Sequence, residues 1–282
     1  MKRIDILEDV LSSSSPVQKL SSIDSESFKK LYFDKKQPVV IRGAAKEWEA
    51  LKKWDLDFFL NLKKDKDIYL LSGKYVQEDN IYKKETFKTF IQKLKDSELS
   101  NKKTEDHLPA LDIFHFFPHL KDHTDFSIFT KLTTKINDEL AWLGPAGTVS
   151  GFHSDTANNV FAQIMGKKMF IIASPKFNRK MYKSKKYMHG GVASEIDINN
   201  VDIEKFPKFK DVQFKSVVLE PGDILYVPQN WWHYVKSLET SISISSFGYT
   251  KTEVYSIKFK EKVLDYLHRR GYYKAKKCWC CE

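Results

Sequence analysis

Hydrophobic positions along the first third of the chain recur at helical intervals, broken by one short apolar run. The opening residues suggest a first helix that stops at Ser12–Ser15 and Pro16. Ser25–Phe33 has the polar start and apolar body of a second. Gln37 to Gly43 reads instead as a short buried strand, opened by Pro38 and closed by Gly43. Trp48 and Trp54 bracket a helix or turn. Phe87, Phe90, Ile91 and Leu94 share one face of a helix over Thr86–Leu94.

From about Phe126 the period shortens. Ala141–Leu143, Val160–Met165, Met169–Ala173, Ser216–Leu219, Ile224–Val227 and Ser241–Phe247 read as short strands. Gly144-Pro145, Gly147, Gly166, Pro175, Pro221-Gly222 and Pro228 punctuate the gaps. Such a series predicts a sandwich or barrel. After Thr250 the helical period returns, with Val254, Ile257, Leu264 and Leu267 on one face and Gly271 as a stop. The expected organisation is an N-terminal helix-and-strand region over 1–125, a β core over 126–250, and a C-terminal helix and tail over 251–282, all one structural domain.

Composition narrows the class. A chain of 282 residues that is 41% hydrophobic and 14% aromatic can bury a substantial core. No apolar run reaches the roughly 18 residues of a membrane span, and the N-terminus lacks the pattern of a secretory signal. A cytoplasmic protein is expected, with a nuclear one allowed. The three cysteines, Cys278, Cys280 and Cys281, crowd the last five residues. They supply no disulfide framework for the body. Trp279 stands where prenylation would need cysteine, and a zinc site of these thiolates would need a fourth ligand. An exposed reducible tail accounts for them. The net charge of +10 permits nucleic-acid or acidic partners, but lysines interspersed with acids also describe an ordinary solvated surface.

The chemistry concentrates at Gly151-Phe152-His153-Ser154-Asp155. On a strand, residues two apart share a face, so His153 and Asp155 point the same way. His233, just after Ile224–Val227, completes two histidines and a carboxylate. That set leaves coordination positions open and suits a non-haem Fe(II) oxygenase, with room for a chelating 2-oxo acid and O2. His-x-Asp alone is weak; the following segment adds weight. Asn159, Phe161 and Gln163 share the parity of His153 and Asp155. Lys168, on the return strand after Gly166, shares a face with Phe170 and Ile172. A lysine inside a barrel is costly unless an anion pairs with it, as the distal carboxylate of 2-oxoglutarate would. The alternative is that Lys168 faces water.

Trp142 to Asp155, Asn159, the Phe161–Lys168 run, Pro221 to Pro228 and Trp231 to Val235 together resemble the Jumonji-C hydroxylase family, in particular its small branch that includes factor inhibiting HIF. The resemblance spans roughly residues 25–250. It implies a double-stranded β-helix, mainly β with flanking helices, dependent on Fe(II), 2-oxoglutarate and O2. It implies that His153, Asp155 and His233 are the metal ligands and the catalytic centre. It implies that Lys168 and Ser150 bind the distal carboxylate of the cosubstrate, that Asn159 and Phe161 belong to its pocket, and that Ser246 lies near the metal. Family members often add an upstream tyrosine hydroxyl; here only His107 falls nearby. The aromatic often found two residues after Ser246 is Gly248, which would widen the substrate mouth.

The resemblance favours a protein or peptide side chain as the hydroxylated substrate. A modified tRNA or other RNA base and an N-methyl-lysine are alternatives, and an inactive barrel used as a binding scaffold is a non-enzyme alternative. A homodimer through the C-terminal helix is a further expectation; the same apolar face would also suit packing on the barrel. His115, His119 and His123 are spaced by four, but Pro118 breaks the helix a second metal site would need. Trp231 and Trp232 read as packing around the metal histidine.

Overall fold

The computed structural model describes residues 3–75, 81–99 and 104–274. The tail cysteines lie outside the described residues. Eight strands form the centre: β1 (Thr134–Gly144), β2 (Val149–Asp155), β3 (Asn158–Met165), β4 (Lys168–Ala173), β5 (Phe214–Leu219), β6 (Ile224–Val227), β7 (Trp232–Ser237) and β8 (Ser241–Tyr249). In the larger sheet the neighbours run β6, β3, β8, β1; in the smaller they run β2, β7, β4, β5. All these pairings are antiparallel. The chain passes repeatedly from one sheet to the other, which is the double-stranded β-helix expected.

The predicted strands recur with longer ends. His233, just after Ile224–Val227 in the sequence, lies within a strand of its own, β7. The N-terminal region is also richer in strands than its helical pattern indicates. Asp106–Leu111, Asp67–Ser72 and Ile81–Thr86 continue the larger sheet beyond β1, and Val39–Ile41 and Gln18–Leu20 continue it beyond β6. Pro109 and the charged residues of these segments mask their strand character. They are recruited by the edge of a sheet whose other strands are strongly β-forming.

Three apolar layers result. Phe161 and Phe170 meet edge to face at 4.9 Å between the sheets, with Val217, Leu219 and Leu225 beside them. Outside the larger sheet, Phe28 packs edge-on against Tyr226 at 5.3 Å, and Phe87, Phe90, Ile91 and Leu94 of the helix Phe87–Leu99 are fully buried. The helix begun at Ser25 finishes as a π turn over Lys29–Phe33. Outside the smaller sheet, Phe152, Tyr234 and Trp232 pack under the helix Leu7–Ser13 and the excursion between β4 and β5. Each buried aromatic contributes about 1.5–3 kcal/mol.

The C-terminal helix Lys251–Arg269 opens with a capping box between Thr250 and Glu253. Gly271 follows it with φ +79°. Val254, Ile257, Leu264 and Leu267 are half-buried, while Tyr255, Phe259 and Tyr266 form the exposed face. The stripe read as a docking surface is thus turned partly toward its own barrel. The triple-histidine reading fails on geometry: a helix ends at Phe116, Pro118 starts a 3-10 turn, and His115 and His119 are exposed. His123 Nδ1 instead accepts from Trp54 Nε1 at 2.9 Å.

The β3–β4 turn has no tolerance for a side chain. Gly166 has φ +68°, and a Cβ there would stand 2.1 Å from the Thr240 carbonyl oxygen. Gly166→Ala should lower stability by about 1–3 kcal/mol, read as a reduced urea midpoint with unchanged slope; an unaltered midpoint would contradict this packing.

Candidate metal centre

Strands β2 and β7 pair with His153 directly opposite His233. Their ring centroids are 4.1 Å apart. Two residues along β2, Asp155 turns to the same side, with Oδ2 3.6 Å from His233 Nε2. One donor atom from each of the three lies within 4.8 Å of the others. Among the described residues this is the only group of at least three histidine, cysteine or acidic side chains arranged to hold a metal.

Each imidazole is oriented by its own strand. His153 Nδ1 donates to the Gly151 carbonyl at 2.7 Å, and His233 Nδ1 to the Trp231 carbonyl at 3.1 Å. That fixes the tautomer and leaves Nε2 as the free donor to a metal. Burial, with His153 as a like charge beside it, holds the His233 imidazole well below its ordinary range, so it stays neutral. Burial pushes the Asp155 carboxyl up, partly offset by the charge of His153.

The triad opens into a cavity of about 210 Å³ between the sheets. The register of β2 against β7 shifts between His233 and Val235, so Ser150 comes opposite Val235. This irregularity lets Ser150, three residues before His153, line the same cavity. Asn159, Phe161 and Lys168 line it too, from β3 and β4. Lys168 is 6% exposed and makes no ion pair among the described residues. Its ammonium lies 5.4 Å from the centroid of the Phe161 ring, and burial pushes it down to about 7. The water-facing alternative for Lys168 is therefore excluded. Asn159 Oδ1 is buried with no hydrogen-bond partner. A buried unpaired cation and an unpaired amide beside a two-histidine, one-carboxylate set fit an anionic, chelating ligand next to a metal.

Two expectations need correction. Ser246 pairs with Val160 on the outward face of β3 and does not line the cavity. Strand alternation turns its neighbours inward: Ser245 and Phe247 line the cavity, and Ser245 Oγ accepts from Trp142 Nε1 at 3.1 Å. Gly248 does not widen the mouth, because a Cβ there would come within 2.6 Å of the Thr133 side chain. His107 is buried and has its Nε2 unpartnered, and burial pushes it down to about 4, with Lys168 adding a like-charge effect. It is not among the residues lining the cavity. The sequence reading also missed Tyr75, whose ring stands 5.9 Å from Trp142 and 6.4 Å from His153. No periodicity marks it, since it reaches the site through a lone bridge to Ser150. Met188, His189 and Gly190, from the excursion between β4 and β5, complete the rim.

Comparison with known families agrees with this geometry. The profile of the cupin-like domain matches residues 25–252. This chain belongs to the cupin-like domain family. Among curated relatives, "Lysine-specific demethylase 8" of Xenopus tropicalis is 30% identical over 245 residues, 85% of this chain and 54% of that protein. "Lysine-specific demethylase JMJ30" of Arabidopsis thaliana is 30% identical over 240 residues, 84% of this chain and 56% of that protein. "Jumonji C domain-containing protein 5" of Drosophila melanogaster is 28% identical over 242 residues, 83% and 60% respectively. The chain thus spans little more than half the length of these relatives. The Jumonji-C names carried by several relatives accord with the resemblance read from the motifs around His153 and His233.

Within this cupin-like barrel a divalent metal requires Asp155 ionised and both imidazoles neutral. Because burial raises the Asp155 pKa, acidification puts on this ligand a proton that the metal must displace. Cobalt(II) affinity, followed by its visible absorption, should fall as pH drops from neutral into the mildly acidic range, and His233→Ala should abolish the signal. Affinity that is unchanged on acidification would rule out Asp155 as a ligand.

Proposed function

We propose that this chain is an Fe(II)- and 2-oxoglutarate-dependent oxygenase that hydroxylates a side chain of a protein or peptide. One observation carries the reading: the triad His153, Asp155 and His233 shares a cavity with a buried lysine that has no ion-pair partner among the described residues. His153, Asp155 and His233 would hold the iron. Lys168, with Ser150 beside it in the lining, would receive the distal carboxylate of 2-oxoglutarate, and Asn159 and Phe161 would flank the cosubstrate. Iron(II) with 2-oxoglutarate and dioxygen would supply the oxidation, yielding succinate and carbon dioxide.

The rest is done by the chain itself. Phe161 and Phe170 wall the inner end and keep it apolar, which strengthens the pairing of Lys168 with a carboxylate. Tyr75, Trp142, Phe247 and Tyr249 form an aromatic approach from the mouth that excludes water from the reacting position. No general base is called for, since the two imidazoles are committed through Nε2.

A protein substrate is favoured by the names of the relatives. Those names, "Lysine-specific demethylase" in Xenopus tropicalis, Danio rerio and Arabidopsis thaliana, also support a second reading, N-methyl-lysine demethylation. The Tyr75–Trp142 corner suits a cationic side chain. The two readings differ in product, because hydroxylation adds one oxygen to the substrate mass and demethylation releases formaldehyde. The RNA reading retains only the basic composition in its support, and the binding-scaffold reading leaves the buried Lys168 unexplained.

Full-length protein loaded anaerobically with Fe(II) should convert 2-oxoglutarate to succinate slowly without a second substrate, and His153→Ala and Asp155→Ala should each lose this turnover. Absence of both turnover and metal-dependent 2-oxoglutarate binding in the parent protein would refute the oxygenase reading. The lysine gives a second, pH-based expectation. The dianion would bind the protonated form of Lys168, which burial pushes down to about 7. Binding therefore takes up a proton, and affinity should be flat below that value and weaken by about tenfold per pH unit above it. Calorimetry with zinc-loaded protein in buffers of different ionisation heat reads this directly. Lys168→Arg, always charged, should flatten the profile.

A further inference from the structure

The three ligands of the metal centre are secured in two different ways. His153 and His233 are each tied to a carbonyl of their own strand. Asp155 has no such tie: among the described residues nothing donates a hydrogen bond to its carboxylate, and it stands at the last position of β2. The backbone of Asp155 pairs with Gly191 at the edge of the sheet, and further contacts hold the chain just beyond it. Thr156, the next residue, uses both its amide and its hydroxyl toward the Gly190 carbonyl, at 2.9 and 3.0 Å. The same hydroxyl contacts a carboxylate oxygen of Glu261, on the C-terminal helix, and lies 2.8 Å from the Tyr249 hydroxyl. Tyr249, which lines the cavity, donates to that Glu261 oxygen at 3.2 Å. Glu261 is 8% exposed, a carboxylate carried inward by a helix whose opposite face is open to solvent.

Two turns earlier on the same helix, Glu253 grips the other side. It accepts from Gln229 Nε2, and its second oxygen accepts from the Thr250 amide at 2.9 Å and from Asn158 Nδ2 at 3.5 Å. Lys36 pairs with it at 3.2 Å. The turn that Gln229 belongs to returns to the ligand, because the Asn230 amide donates to the Asp155 carbonyl at 2.7 Å. The helix therefore touches the chain immediately after Asp155 and also the turn hydrogen-bonded to Asp155 itself.

We infer that the C-terminal helix is a clasp for the carboxylate ligand, with Glu261 as its main positioning residue and Glu253 as its second. The inference rests on the reading of Asp155 as a metal ligand. It is built on groups that cost energy to bury unless they are bonded, and they converge on the ligand whose side chain, unlike the two imidazoles, has no hydrogen bond to its own strand. Outer partners of this kind are worth about 10–100-fold in metal affinity.

The test uses the full chain and cobalt(II) alone, with affinity and the visible absorption envelope as readouts and thermal midpoint as control. Glu261→Ala should weaken cobalt affinity by about tenfold and change the envelope. Glu261→Gln, whose amide oxygen still accepts from Tyr249, should stay close to the parent. Thr156→Val removes the link from the ligand's side without touching the helix, and should reproduce the Glu261→Ala change; it decides the matter if Glu261→Ala does not fold. A lowered thermal midpoint with parental cobalt affinity and envelope in both variants would make the contacts merely structural and overturn the clasp. Failure of the parent protein to bind cobalt at all would instead strike the metal-site reading on which the clasp stands.

Discussion

The site depends on one register: His153 of β2 opposite His233 of β7. Strand side chains alternate, so a slip of either strand by one residue would turn its imidazole outward and break the pair. The register is held from the outer face. Phe152 and Tyr234, the neighbours of the two histidines, point the other way and pack at 5.5 Å between ring centroids. Trp232 is fully buried beside them, its Nε1 donating to Asn178 Oδ1 at 2.7 Å. A slip of either strand would take its aromatic out of this layer, at about 1.5–3 kcal/mol, and put an imidazole in its place. The irregularity at Tyr234 then brings Ser150 to the cavity without disturbing the histidine pair. Aromatic packing outside the smaller sheet thus sets metal geometry inside it.

Polar residues within the barrel fall into two groups, and the difference locates the site. Gln163 donates to the Met165 and Gly166 carbonyls at 2.7 and 2.9 Å and accepts from Ser243 at 2.9 Å. Ser237 and Ser241 pair at 3.1 Å. That group is satisfied and structural, as buried polar groups normally are. Lys168 and Asn159 are also buried, yet among the described residues the ammonium has no ion-pair partner and Oδ1 no hydrogen-bond partner. Keeping them costs stability, which is accounted for if a ligand completes them.

Much of this was legible from parity. His153, Asp155, Asn159 and Phe161 fall on one interior by counting in twos, whereas the count leaves both faces open to Lys168 and only the family resemblance turns it inward; the core strands fall where Gly and Pro punctuate the apolar runs. Counting failed where the strands are not regular. The family resemblance puts Ser246 near the metal, but Gln163 pairs with Ser243 in β8, which sets the inward parity of that strand. Ser245 has that parity. Gly248 looked like a gap because sequence gives no sign that Thr133, from a distant turn, fills it. Of the strands at 67–72, 81–86 and 106–111, only the last pairs with β1, and the other two are added in turn beyond it, an order that the sequence pattern does not show. Tyr75 and Glu261 come from outside the core strands, and contacts of that kind have no local signature.

Charge explains why these particular residues belong together. In the cavity, burial works against every ionised group: it neutralises His233, raises Asp155 and lowers Lys168 toward neutrality. On the reading offered here, a divalent metal restores the charge of Asp155, and a dianionic cosubstrate restores that of Lys168. The formal charges of metal, Asp155, dianion and Lys168 then cancel. Neither the metal nor the dianion alone achieves this, since the first leaves a surplus of positive charge and the second a surplus of negative charge in a poorly solvated space. Each should therefore favour entry of the other, and the coupling would run through the cavity's electrostatics even between groups that do not touch.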